Sequence, residues 1–131
     1  MNYFSKLILC LVVVVLSFVA TTALAENCSK ESWNVSSFEP DTTINWKVKK
    51  GEVCASLNRK GYVYNFSVLI RAQHGLSAVT NGMADRGFAY RASSNYIGAD
   101  QFQVGCNLHP SYQTDVVKCT ITVKVTVVDD L

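Results

Sequence analysis

Cysteine and histidine are the residues of this 131-residue chain with the most chemistry to offer: five cysteines and two histidines. Cys10 lies inside an apolar N-terminal run, which leaves Cys28, Cys54, Cys106 and Cys119. An even set of thiols in an oxidising compartment pairs as disulfides, and four thiols admit three connectivities. The competing use is a four-cysteine zinc site, but its usual close Cys-x-x-Cys pairs are missing from this spacing. His74 and His109 have no acidic or cysteine neighbour at ligand spacing. Nucleophilic catalysis is equally unsupported, because Gly75-Leu-Ser77-Ala-Val79 lacks the second glycine of a nucleophile elbow. Nothing suggests the paired carboxylates of glycoside chemistry. The expectation is therefore a non-enzymatic protein without metal or cofactor.

Asp100, close behind Gly98, is the sharpest polar feature. Together with Asp129 and Asp130 it suggests calcium, yet calcium wants about six to eight converging oxygens and the motif offers one or two. The structural reading is preferred: Gly98 supplies a positive φ and Asp100 caps a turn through its own backbone.

These residues must be positioned by a chain that starts with an export signature. Lys6 precedes the apolar run Leu7 to Ala20, and Ala23-Leu24-Ala25 supplies a small-x-small cleavage site. The run falls short of the roughly 20 residues needed to span a bilayer, so no stable membrane anchor is expected. Asn27 before Cys28 rules out a lipobox. Residues 1–25 are thus read as a signal peptide and 26–131 as one exported domain, periplasmic or secreted. Twelve basic and ten acidic residues give a net charge of +2. The one local basic cluster, Lys47, Lys49 and Lys50, is too small for a nucleic-acid surface and reads as a solvated sheet edge. Sequons at Asn27, Asn34 and Asn65 are read as chance.

Alternation dominates the rest. Ile44, Trp46 and Val48 share one face of a strand, and Cys119, Ile121, Val123, Val125 and Val127 share one face of the clearest strand in the chain. Tyr62 to Ile70 reads as one dense strand with Tyr62, Tyr64, Phe66, Val68 and Ile70 on one face. Shorter strands are expected around Trp33 to Ser37, Glu52 to Leu57 and Leu76 to Val79. Pro40-Asp41, Asn81-Gly82 and the polar stretch Asn107 to Gln113 read as turns or loops. Phe88/Tyr90 and Phe102/Val104 form two further strands that cross from one sheet to the other. Seven to eight short strands in about a hundred residues predict an all-β, antiparallel sandwich of the immunoglobulin-like type. Trp46, Phe66, Tyr90 and Phe102 are the large core candidates.

The same alternation bears on the thiols. Cys106 shares a face with Phe102 and Val104, and Cys119 with Ile121 and Val123, across a single loop. The preferred bridges are Cys106–Cys119 and Cys28–Cys54. A bridge between sheets from Cys54 to Cys106 or Cys119 stays open.

Tyr90-Arg-Ala-Ser-Ser-Asn-Tyr-Ile-Gly-Ala-Asp-Gln-Phe-Gln-Val104 resembles the signature of bacterial Ig-like and cadherin-like β-sandwich domains, which read Tyr-x-Pro, an aromatic, then Gly-x-Asp-x-Phe. Gln73-His74-Gly75 is similar to the turn that often precedes it, and Thr120 to Val127 to the closing strand. The resemblance spans roughly Tyr62 to Val128. Ala92 stands where the usual proline would be. The resemblance implies a fold and is nearly silent on function, since such folds host many roles. The expected role is a small exported accessory protein that recognises a protein or envelope component, its identity unknown. The alternative is carbohydrate binding, through Tyr62, Tyr64, Tyr90 or Tyr96, or a structural role in the envelope.

Overall fold

The computed structural model describes residues 27–58, 61–83, 85–110 and 115–131, so the expected signal peptide lies outside the described residues. Eight strands form in chain order: β1 (Cys28–Lys30), β2 (Asp41–Lys49), β3 (Val53–Asn58), β4 (Val63–Ile70), β5 (Gly75–Asn81), β6 (Arg86–Ala92), β7 (Gly98–Leu108) and β8 (Val117–Val128). They make a five-stranded sheet of order β1-β2-β8-β7-β4 and a three-stranded sheet of order β3-β6-β5. Among the described residues there is no helix, and so none long and apolar enough to cross a membrane.

The inward sides of the two sheets supply the core. Every second residue of β8 from Cys119 to Val127 is buried, as are Ile44, Trp46 and Val48 of β2. Trp46 stacks on Phe88 with ring centroids 5.5 Å apart, and Tyr90 on Phe102 at 5.7 Å. β6 and β7 do fall in different sheets, so the chain crosses the sandwich between them.

The five-stranded sheet is mixed, not antiparallel throughout. β2 runs parallel to β8, from Asp41 opposite Thr120 to Lys49 opposite Val128. Alternation sorts side chains into faces but carries no strand direction, so this pairing was invisible to the pattern. Four further expectations are corrected. The first strand is Cys28–Lys30 rather than Trp33 to Ser37, where a bend closes instead: Ser36 N–H donates to the Glu39 carbonyl and Glu39 N–H to Ser36 Oγ, both at 3.0 Å. The bend falls there and not at Pro40-Asp41, since Asp41 already opens β2. In β4 the single-face reading fails at Asn65, which takes φ 60° and marks a shift in register with β7. Val63 before the bulge and Phe66 after it are both buried, whereas Tyr62 and Ile70 are exposed. An extra residue in one strand reverses which parity faces inward, and asparagine tolerates the left-handed conformation better than most. Finally, β7 runs on through Leu108, so Asn107 and Leu108 are strand and not loop; Ser111 to Gln113 lie outside the described residues.

The bridges are Cys28–Cys54 and Cys106–Cys119. Cys106 and Cys119 sit opposite one another in the β7–β8 ladder. Cys28–Cys54 links the edge strand of one sheet to the edge strand of the other, and beside it Lys30 Nζ reaches the Ala55 carbonyl and Trp33 Nε1 donates to Ser56 Oγ at 2.9 Å.

Candidate functional site

One end of the sandwich carries an open cleft of about 690 Å³. It forms where the β2–β3 turn at Gly51, the β4–β5 connection 71–74 and the β6–β7 connection 93–97 meet. Backbone bonds tie these three segments in a row: Gly51 N–H donates to the Ser93 carbonyl and Ser93 N–H to the His74 carbonyl, each at 3.3 Å. Gly51 has φ 76°, the left-handed conformation that glycine reaches most cheaply.

Asp100 underpins the cleft. Its Oδ1 accepts from the backbone N–H groups of Gln73 (3.0 Å) and Gln101 (2.9 Å). Its Oδ2 accepts from His74 N–H (3.0 Å) and from the Tyr90 hydroxyl (2.8 Å). Burial pushes the carboxyl upward, but the Tyr90 hydroxyl and the amides of Gln101, Gln73 and His74 outweigh it and hold Asp100 below the usual carboxylate range. Burial, then the bond and the charge of Asp100, push the Tyr90 phenol far above its ordinary value, so it stays a donor. With four donors in place, this carboxylate has no free direction from which to take a substrate proton. It holds backbone, and what it holds is the rim of the cleft.

His74 lies flat on Tyr96, centroids 3.7 Å apart and planes 8° from parallel. The Tyr96 hydroxyl donates to the Ala99 carbonyl at 2.7 Å, and Asn95 N–H donates to Ser93 Oγ at 3.2 Å, which fixes the bend at Ser94-Asn95. Leu76 and Arg91, both exposed, complete one wall. The lining residues thus present amides, hydroxyls, a stacked pair of rings and one guanidinium, and no carboxylate is among them.

The residues singled out in the sequence are dispersed. The reversal expected at Gly98-Ala99-Asp100 falls earlier, at Ser94-Asn95, and Gly98 and Asp100 already belong to β7. Gly98 does take a positive φ, 138°. Asp100 bonds the next amide as a turn cap would, but three of its four bonds go to Gln73, His74 and Tyr90. Asp129 pairs with Lys50 at 2.7 Å, and Asp130 accepts from Leu131 N–H. Lys50 draws the Asp129 carboxyl downward. Among the described residues, no three His, Cys, Asp or Glu side chains converge. His109 sits beyond Leu108, at the far end of β7 from Asp100, with its N–H on the Tyr62 carbonyl at 2.8 Å. Of the tyrosines, Tyr90 is buried, Tyr64 and Tyr96 are half-buried and Tyr62 is exposed.

Two functional arrangements escaped the sequence reading. The His74–Tyr96 stack joins residues 22 positions apart and leaves no trace in the pattern. The Tyr90–Asp100 clamp did leave one: Asp100 shares its parity with Phe102, Val104 and Cys106, so a carboxylate stood on the inward face of a strand and needed partners. Comparison of the chain with family models, characterised proteins and solved structures finds no match.

Proposed function

We propose that this is an exported, non-catalytic binding domain of the immunoglobulin-like type, which grips a segment of a protein partner in the cleft at its Asp100 end. The strand order supports the fold assignment. With β3 to β8 taken as the second to seventh strands, β3-β6-β5 corresponds to B-E-D and β8-β7-β4 to G-F-C of an immunoglobulin sandwich. The disulfides follow another plan, since neither joins the second strand to the sixth. Two disulfides agree with the oxidising compartment that export implies.

One observation carries the binding reading. The cleft rim is held rigid by an ionised carboxylate with four donors, while its lining offers hydroxyls, amides and the Arg91 guanidinium outward. A pre-organised rim lowers the ordering cost of association, and a guanidinium without a lining carboxylate favours a partner segment that carries one. The alternative, carbohydrate recognition, rests on the His74–Tyr96 stack beside Ser94 and Asn95, an aromatic surface next to polar groups.

A photo-reactive residue at position 95 in the exported protein tests this. It should yield discrete protein adducts in the native envelope, and Arg91→Glu should abolish them. The same adducts from position 47, on the opposite sheet, would refute the assignment. Binding to purified envelope glycan that is lost in Tyr96→Ala and retained in Arg91→Glu would favour the carbohydrate alternative.

A further inference from the structure

The outer face of the three-stranded sheet is unlike that of the five-stranded one. Alternation along β6 turns Phe88, Tyr90 and Ala92 inward and leaves Ala89 and Arg91 on the outer side, with Gly87 at an outward register position but buried. The ladder places Leu76 and Val53 on either side of Arg91, Ala78 and Ala55 beside Ala89, and Thr80 and Leu57 beside Gly87. Leu76 is 69% exposed, Leu57 55% and Val53 47%. The outward positions of these nine ladder residues therefore include one charge. By contrast, β2 and β8 turn Asn45, Lys47, Lys124 and Thr126 to solvent on the other sheet. Apolar patches of a few hundred Å² are often functional surfaces.

The middle column suggests what covers it. Down β6 the outward order is Arg91, Ala89, Gly87, and one strand step further stands the exposed Asp85 in the β5–β6 connection. That is a cation, two small residues and an anion. Turned end for end about an axis across the strands at the level of Phe88, the column complements itself: Arg91 meets Asp85 of a second copy, and Ala89 meets Gly87. An isologous two-fold interface requires this reciprocity. The flanking columns agree. Leu57 comes over Ala55, Thr80 over Ala78, and Leu76 approaches Gly82 and the wholly exposed Met83 of the other copy. Leu57 and Thr80 thus each meet an alanine. The other face-to-face two-fold, with its axis along the strands, sets Arg91 against Arg91 and is opposed by like charge.

We propose that the outer face of β3-β6-β5 is a homodimer interface, in which two copies pack face to face with antiparallel strands and exchange two Arg91–Asp85 ion pairs. Gly87 is required by the fold, since a Cβ there would overlap the Ser56 carbonyl of β3. Three strands about 4.8 Å apart and seven residues at about 3.4 Å each give a footprint of roughly 15 Å by 24 Å. That is roughly 360 Å² per copy, below the area of a standard specific interface, so the dimer is weak and transient. Arg91 also borders the cleft, so the guanidinium that pairs with Asp85 in the dimer is the one the monomer offers to a partner carboxylate, and the two associations compete.

Sedimentation velocity of the oxidised full exported domain over a concentration series tests the proposal. The wild type should pass from monomer to dimer. Arg91→Asp and Asp85→Arg should each weaken association at least about tenfold, because each sets like charges face to face. The double exchange, Arg91→Asp with Asp85→Arg, should restore it to within about threefold of wild type. Both sites are exposed, and the double variant controls for misfolding. Three results would overturn the inference: a monomer up to roughly 500 μM, a dimer insensitive to either single exchange, or single losses that the double exchange fails to rescue. The insensitive dimer would point to pairing along the free edge of β5 instead.

Discussion

Replacing Asp100 by asparagine keeps the shape of the side chain and changes only what it can accept. The amide has one acceptor oxygen and one donor nitrogen where the carboxylate has two acceptors. In the better orientation its oxygen keeps the Gln73 and Gln101 N–H groups, and its NH2 takes the place that His74 N–H and the Tyr90 hydroxyl now address. Tyr90 can rotate its hydroxyl to accept, but His74 N–H then faces a donor. The variant therefore loses one bond outright and the charge assistance of the other three. Bonds to a charged group are each worth roughly 1.5–3 kcal/mol when buried and less at a partly exposed site such as this. The net cost is about 2–3 kcal/mol, a drop in Tm of roughly 10 °C for a domain of this size.

Thermal and urea unfolding of the oxidised protein, measured at several pH values, checks both the size and the sign. The folded-state pKa of Asp100 lies below its ordinary value of 3.8. The stabilisation is therefore fully present above the unfolded pKa and is lost as pH falls through the folded one. The gap between wild type and Asp100→Asn should stay constant from neutral pH down to about 5 and close below about 4. Tyr90→Phe removes one of the four donors and keeps the ring stack on Phe102, at a cost of about 1 kcal/mol. In the double variant the two losses should be less than additive, because Tyr90 and Asp100 touch. A single Asp100→Asn loss below about 0.5 kcal/mol, or a gap that does not depend on pH, would refute the clamp.

Two further perturbations probe the sides of the sandwich. Cys28 and Cys54 are 26 residues apart and Cys106 and Cys119 are 13 apart; by loop entropy, replacing each pair with alanine should cost about 3.5 and about 2.9 kcal/mol respectively in urea unfolding, and a reversed order would show that the ladder and not the loop sets the value. Asn81 closes the other side, with Oδ1 accepting from Phe66 N–H at 2.6 Å and Nδ2 donating to the Phe66 carbonyl at 2.9 Å; Asn81→Ala should cost about 1–3 kcal/mol and expose the Phe66 amide to hydrogen exchange, whereas Asn81→Asp should be at least as damaging at neutral pH and recover as acid protonates it.

How much of this was legible depends on the residue. The core of β8 could be read position by position, because the strand is regular and one side of it is buried. β4 could not, because period two is a property of an uninterrupted strand and Asn65 interrupts it. The sequence displays an asparagine there, but asparagine is as common at a turn as at a bulge. Direction was also hidden: β2 against β8 has the same inward set whether parallel or antiparallel. Asp100 was legible in part. Its parity announced an inward carboxylate, but its principal partners, the amides of residues 73 and 74, are backbone groups that every residue carries.

The closures of the two sides also bear on where partners can bind. Along one side, β1 and β3 are joined by Cys28–Cys54, Lys30 and Trp33; along the other, Asn81 bonds β5 to the bulge of β4. Each closure spends polar groups that an incoming strand would need, so both sides resist addition where the links lie. What stays open is the ends and the two outer faces. On the five-stranded face β2 and β8 present lysine, threonine and asparagine, which water serves well, and Leu69 of β4 lies exposed over Gly105, while the three-stranded face is mostly apolar and joins the cleft through Leu76 and Arg91. Cleft and apolar face thus form one continuous surface. Asp100 holds the cleft rim alone, so Asp100→Asn should weaken partner capture at position 95 and leave self-association on the sheet face unchanged. Loss of both together would mean that the clamp supports the whole three-stranded sheet and not the cleft rim alone.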